Sequence, residues 1–297
     1  MSSMAIITDT DSSLPAELAA RYGIRQVPIS VHFGQDTLRA AVDVDDATLF
    51  ARVDREGKYP TTSAPPPGDF AQAYRAAFAA GADEILCICV SSALSAVGQA
   101  AKTAADLMPD RKITIVDSQA VAMVQGFMAI AAAEAAQAGA PAEEIVRRAV
   151  EVRDRSFIYG ALATLKYLAM SGRVGHVAAG FANLMEVKPI VTLVDGKLQM
   201  LERVRSRKRS LARVIELATE ALAGRSLERL AVQHVACPEE AVAFKEQLCA
   251  TIPCPGEVII AEFTPGLSVH TGAGLIGVAA TAAESGRVAA VSGSTFG

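Results

Sequence analysis

Six consecutive apolar residues, Ile85-Leu86-Cys87-Ile88-Cys89-Val90, run into Ser91-Ser92-Ala93-Leu94-Ser95 and then into an Ala-rich stretch over residues 96–108. A short branched run, stopped by a polar cluster and followed by helix formers, specifies a buried strand, a turn and a helix. That is half of a βαβ unit. In open α/β sheets ligands sit outside the carboxyl ends of the strands, where a helix N-terminus offers unpaired N–H groups and a positive dipole end to an anion. One serine at that position is an ordinary N-cap; a cap accounts for one hydroxyl and leaves two over.

The 297 residues are enough for two ordinary domains. The chain is 51% apolar but only 5% aromatic, without tryptophan, so its core must be built from Ala, Val, Leu and Ile. Such a core suits helices packed closely on sheets. A formal charge of −4 disfavours any general attraction for nucleic acid. The first residues, Met1-Ser2-Ser3-Met4, lack the cationic start of a signal peptide, and the apolar run over residues 120–133 is short for a membrane span and suits a buried helix. The expectation is a cytoplasmic protein without stable membrane insertion. Five cysteines, Cys87, Cys89, Cys237, Cys249 and Cys254, are odd in number and have no paired CxxC spacing. Cys87 and Cys89 share one face of the expected strand, where a free thiol behaves as a small hydrophobe. No Cys/His cluster supplies a metal site.

Strands are expected at residues 5–8, 26–33, 85–90 and 112–116. Helices are expected from the Ser13-Leu14-Pro15 start to Tyr22 and over residues 43–54, 69–80, 120–138 and 142–153. The prolines of Thr61-Thr62-Ser63-Ala64-Pro65-Pro66-Pro67-Gly68 exclude helix or central strand and predict a loop. The alternation pauses near residues 153–158, which divides the chain into an N-terminal α/β domain (1–157), a smaller mixed-sheet C-terminal domain (158–285) and a tail (286–297). In the second half a short helix over residues 165–170 is followed by an apolar segment reaching Met185. Asp195-Gly196-Lys197 is a hairpin signal between strands at 189–194 and 198–204. A helix (206–223), a strand (230–235), a helix (238–249) and a strand (257–263) follow.

Four constellations carry chemistry. Thr62-Ser63 and Ser92/Ser95 form hydroxyl loops that, with backbone N–H groups, make a nest for one carboxylate or phosphate. Neither loop contains Lys or Arg, which favours a singly charged group. His270, in the Gly-rich stretch from Gly266 to Gly274, is either structural or a proton donor to a ligand opposite that nest; His32, His176 and His234 read as structural. The basic run Arg203, Arg205, Arg207, Lys208, Arg209 and Arg213 is either a solvated helix start or a dock for an acidic or phosphate-bearing partner. Asp9-Thr10-Asp11 after an apolar strand looks like the nucleophile loop of haloacid-dehalogenase-type magnesium-dependent phosphatases, with Asp9 attacking and Asp11 as acid/base. The acidic pair that completes such a magnesium site is missing. No GxxxxGK[ST] occurs, so the chain has no candidate ATP site and no cofactor is expected.

In order, Asp9 to Pro15, Thr62-Ser63-Ala64-Pro65, Ser91-Ser92-Ala93-Leu94-Ser95, Val116-Asp117-Ser118, Tyr167-Leu168, Gly172-Arg173-Val174, Lys188-Pro189, Val204-Arg205-Ser206 and His270-Thr271-Gly272-Ala273-Gly274 resemble the DegV family. That family comprises bacterial fatty-acid-binding proteins, including the lipid-binding subunit of fatty acid kinase. The resemblance implies two α/β domains with a long-chain fatty acid between them, its tail in an apolar tunnel. The carboxylate would rest on Ser63 and Ser95, with Thr62, Ser92 and His270 close by and Arg173 as a secondary candidate. It further implies a non-enzymatic role in which a separate ATP-dependent kinase phosphorylates the bound carboxylate to an acyl phosphate for phospholipid synthesis. Arg205 falls where the family has an arginine linked to kinase engagement. Ala96-Val97 stands where the family usually has Gly-Thr, and Gly272-Ala273-Gly274 where it has Gly-Pro-Gly, so both turns depart from the family pattern near the head-group site.

Overall fold

The computed structural model of the chain describes residues 3–172 and 187–284. In chain order the first half contains β1 (Met4–Asp9), a 3-10 turn (Thr10–Ser12), α1 (Ala16–Tyr22), β2 (Arg25–Val27), β3 (Ser30–Phe33), β4 (Asp36–Arg39), α2 (Asp46–Glu56), β5 (Thr61–Ser63) and α3 (Pro67–Ala79). It continues with β6 (Glu84–Cys89), α4 (Val97–Asp106), β7 (Lys112–Asp117), α5 (Ala122–Gln137) and α6 (Ala142–Asp154). The second half contains β8 (Ser156–Ala161), α7 (Lys166–Ser171), β9 (Lys188–Val194), β10 (Lys197–Val204), α8 (Arg207–Leu222), β11 (Leu227–His234), α9 (Pro238–Thr251), β12 (Ile259–Glu262), α10 (Pro265–Thr271) and β13 (Ile276–Ala282).

Strands β2-β1-β6-β7 form a parallel sheet, and β10-β9-β8-β13-β11-β12 a mixed one. The chain is thus a two-domain α/β fold with a parallel N-terminal sheet and a mixed C-terminal sheet. The division expected after residue 157 falls inside β8, whose pairing belongs wholly to the second sheet. Ile85 and Cys87 of β6 pack with Phe70 and Tyr74 of α3 and Ala101 of α4; Leu86 and Ile88, one residue out of phase, pack with Phe127 and Met128 of α5. Strand alternation therefore buries both faces of the sheet, as a continuous apolar run requires.

Helix α5 contacts β1 and β6 on one side and β8, β11 and β13 on the other. Residues 122–133 are all buried. It is apolar all round because it lies between two sheets, which is the alternative to a membrane span for such a run. No helix among the described residues is long and apolar enough to cross a membrane.

Several local expectations are corrected. Residues 26–33 are not one strand: Pro28 interrupts the ladder, sending β2 to the parallel sheet and β3 to a separate antiparallel sheet ordered β4-β3-β5. Thr61–Ser63 is the edge strand of that sheet rather than a loop; the prolines begin only at Pro65, and Pro67 opens α3. Pro15, not Ser13, precedes α1, and Ser13 adopts a left-handed conformation (φ 47°). The stretch around His270 is helix α10, with the glycine turn only after Thr271. Strand β13 was not foreseen, although it is the fourth strand of the second sheet. Cys249 and Cys254 form a disulfide, with Cα atoms 5.3 Å apart, that their five-residue spacing did not announce. The tail and the apolar segment that follows α7 to Met185 lie outside the described residues, apart from Gly172.

Candidate functional site

A cavity of about 350 Å³ lies between the inner face of the six-stranded sheet and the N-terminal half. Its walls are largely aliphatic: Ile29, Val90 and Val121 on one side, Ile158, Val191 and Leu193 on the other, Leu267 and Leu275 beside α10. Polar groups gather where β5, the start of α4 and α10 converge, and Thr62, Ser63, Ser95 and His270 all line the cavity there. An apolar volume with a few convergent polar groups is the ordinary form of a small-molecule site.

The geometry of those groups follows from their elements. Edge strand β5 pairs with β3 in the register Val31↔Thr62 and His32↔Thr61. Thr62 Oγ1 and His270 Nε2 share a hydrogen bond of 2.7 Å. Ser63 Oγ donates to the Ala64 carbonyl (3.3 Å) and accepts from His32 Nε2 (2.8 Å), while Thr37 Oγ1 donates to His32 Nδ1 (3.0 Å). This assignment places the His32 proton on Nε2. His32 thus stands behind Ser63 and orients it, a role that its position in a largely buried strand did not reveal.

The serine turn is braced by buried groups. Asp9, wholly buried, accepts hydrogen bonds from the backbone N–H of Val90 (2.8 Å) and of Asp11 (3.0 Å) and from Gln125 Nε2 (3.0 Å). Asp117 accepts from the backbone N–H of Ser92 and of Gln119 and from the Ser92 hydroxyl. Ser91 Oγ donates to the Gly196 carbonyl at 2.8 Å, joining the turn to the β9–β10 hairpin. Ser95 Oγ, in contrast, has no hydrogen-bond partner among the described residues and faces the cavity. The first N–H groups of α4, which has no side-chain cap, open beside it.

The structure therefore brings together Thr62, Ser63, Ser95 and His270, and separates Ser92 from them. Ser92 is exposed and held by Asp117, so its hydroxyl braces the turn instead of lining the cavity. Arg173 and His176 lie outside the described residues. His234 is buried on the far face of β11, where burial holds its imidazole below the usual range. The basic run divides in two. Arg207 pairs with Glu240, and Arg213 with Glu202, Glu216 and Glu220; Arg203, Arg205, Lys208 and Arg209 are exposed, with no ion pair among the described residues.

The phosphatase reading fails on the position of Asp9. A nucleophile must reach its substrate, whereas both Asp9 oxygens are occupied by donors of the protein's own interior. Burial pushes this carboxyl up to about 6, opposite to the activation a carboxylate nucleophile needs. No group of acidic, His and Cys side chains suited to a metal occurs among the described residues.

Asp46 of α2 positions α10 from behind. It is buried, accepts a hydrogen bond from Ser268 Oγ, and burial raises its carboxyl to about 7.

The family model described as "Uncharacterised protein, DegV family" matches residues 3–283. A DegV domain-containing protein of Streptomyces coelicolor is 35% identical over 275 residues, covering 93% of this chain and 97% of that protein. One from Mycobacterium tuberculosis is 34% identical over 277 residues, covering 93% and 96%. Among solved structures, a fatty-acid-binding DegV family protein from Thermus thermophilus superposes with a TM-score of 0.87 at 30% identity, covering 94% of this chain and 99% of that one. DegV from Bacillus subtilis, a fatty acid binding protein, does so with a TM-score of 0.84 at 27% identity, covering 95% and 100%.

Proposed function

The chain belongs to the DegV family, and from that we propose that it binds one long-chain fatty acid, the carboxylate on Ser63, Ser95, Thr62 and His270 and the acyl chain in the aliphatic cavity. The observation that carries this reading is the convergence of three hydroxyls and an imidazole on one part of an otherwise apolar cavity of about 350 Å³. Ser95 Oγ and the first N–H groups of α4 supply donors without a local partner, and His32 holds Ser63 in place while its hydroxyl turns from Ala64 to the ligand. Neutral donors suffice for a single negative charge. Burying about 15 methylenes at ~0.8 kcal/mol each yields roughly 12 kcal/mol of gross transfer energy, against which association and ordering costs are set.

In this reading the protein presents its ligand and does not itself react. A separate ATP-dependent kinase phosphorylates the bound carboxylate to an acyl phosphate, and Arg205, exposed at the end of β10, takes part in docking that kinase. A guanidinium that no carboxylate among the described residues neutralises is suited to such a contact. The cytoplasm, where such a kinase and its ATP are found, is the proposed location.

Mass spectrometry of lipid extracted from purified protein, with titration of the delipidated protein with palmitate and oleate, tests the core of the proposal. One equivalent of fatty acid per chain and saturable binding are expected. Absence of saturable binding for both acids overturns it.

A further inference from the structure

The floor of the cavity contains a polar group that a simple hydrocarbon chain leaves unsatisfied. Val191, Gly160, Gly277 and Gln233 occupy one cross-strand row, through the pairs Val191↔Gly160, Gly160↔Gly277 and Gly277↔Gln233, and all four line the cavity. Residues directly opposite one another in a sheet project from the same face. The two glycines have no side chain there, so the row forms a trough that ends at Gln233. A Cβ on Gly277 would stand 2.8 Å from the Tyr159 carbonyl oxygen, which keeps the trough open at that point.

Gln233 is 1% exposed, and neither its Oε1 nor its Nε2 has a hydrogen-bond partner among the described residues. Of the other deeply buried polar side chains of the lining, Thr192 donates its hydroxyl to the Ile158 carbonyl and is satisfied within its own sheet. A buried amide with both ends unpaired is costly. Filling the trough with methylenes excludes the water that would otherwise relieve it.

We infer that Gln233 is a specificity subsite for a hydroxyl group carried along the acyl chain, so that the preferred ligands are hydroxylated fatty acids. The inference deepens the fatty-acid reading and rests on it. A hydroxyl both donates and accepts, and so can meet Oε1 and Nε2 together; a ketone only accepts, and a second carboxylate would bring an uncompensated charge into an aliphatic cavity. None of Thr62, Ser63, Ser95 or His270 lies on the six-stranded sheet, so the subsite reads the tail independently of the head-group contacts.

The test is competition binding to the delipidated full chain with stearate and a panel of monohydroxystearates whose hydroxyl is placed at successive carbons. At least one positional isomer should bind wild type about tenfold more tightly than stearate. Gln233→Leu should bind stearate more tightly than wild type does and lose the preference for that isomer. Gln233→Met, closer in shape, should reproduce the effect should the leucine variant fold poorly. If wild type binds stearate but prefers no isomer, the fatty-acid reading stands and the subsite is overturned, Gln233 then being satisfied by water. If neither stearate nor any isomer binds, both are overturned.

Discussion

Thr62 and His270 lie 208 residues apart in the chain and 2.7 Å apart in the fold. The hydrogen bond joins edge strand β5 of the N-terminal half to α10 of the C-terminal half. Neither segment carries the polar cluster alone: β5 supplies two hydroxyls, α10 the imidazole, and the turn before α4 a third hydroxyl. The site is therefore a property of how the two halves meet, and each of its supports can be perturbed separately.

The Ser95 hydroxyl has no partner to lose among the described residues, so Ser95→Ala should leave the thermal midpoint nearly unchanged. It should weaken fatty acid binding about ten- to hundredfold, the size of a hydrogen bond to a charged acceptor. Ser63→Ala should weaken binding similarly. Ser12→Ala is the contrast: Ser12 is buried, donates to Gln26 Oε1 and accepts from the Leu14 N–H, so it should lower stability and leave affinity alone. Equal losses of affinity in all three variants, measured by titration, would count against the assignment.

Arg205→Ala should keep fatty acid affinity within a few-fold of wild type and greatly slow acyl phosphate formation when the kinase is supplied. A variant that loses lipid binding, while its remaining lipid-bound fraction is phosphorylated at the normal rate, would move Arg205 to the ligand site. The readouts are a binding titration and steady-state phosphorylation of bound oleate.

Burial raises Asp46 to about 7 and Asp9 to about 6, both above the unfolded value of 3.8. Between the unfolded and folded values the native state holds more protons than the unfolded chain, so stability falls as pH rises. The fall spans about pH 4 to 7 and amounts to at most ~1.4 kcal/mol per unit for each group within its window. Asn at position 46 keeps an acceptor for Ser268 but does not titrate. Asp46→Asn should therefore flatten the decline in chemical-denaturation stability, and an unchanged slope would remove Asp46 as its cause.

Gly196 sits at φ 72°, and a Cβ there would stand 2.4 Å from Ser91 Oγ. Gly196→Ala should cost about 1–3 kcal/mol in denaturant unfolding and disturb the serine turn enough to weaken ligand binding. Adding Ser91→Ala removes the colliding oxygen and should recover part of the loss. No recovery would place the cost wholly in the backbone of the turn.

What was legible in the sequence was local chemistry with a strong period or a demanding backbone. The run Ile85 to Val90 could only be a buried strand, and Asp195-Gly196 announced a two-residue hairpin turn in which both residues take positive φ, 49° and 72°. Small residues hid the rest. Ile276–Ala282 is mostly Ala and Gly, buried on both faces, and so shows no alternation of polar and apolar side chains. Gly266 and Gly272 made α10 look like a loop; Gly266 is instead required where Asp11 and Ile29 press on the helix. That Ser63, Ser95 and His270 line one cavity accords with their motifs, whereas the contact of His32 with Ser63 depends on a cross-strand neighbour and was not legible. Ser92 does not line the cavity, because a turn residue can point to either side and its hydroxyl bonds Asp117.

The burial of α5 between the two sheets governs what the cavity can accept. A helix with its side chains is about 10–12 Å thick, so the separation of the sheets is fixed by α5 itself. Spreading them to admit a bulkier guest would expose one face of a stretch, residues 122–133, that is buried throughout. Depth and width are consequently dimensions of the backbone, and a ligand that exceeds them has to bend within fixed walls or protrude from them.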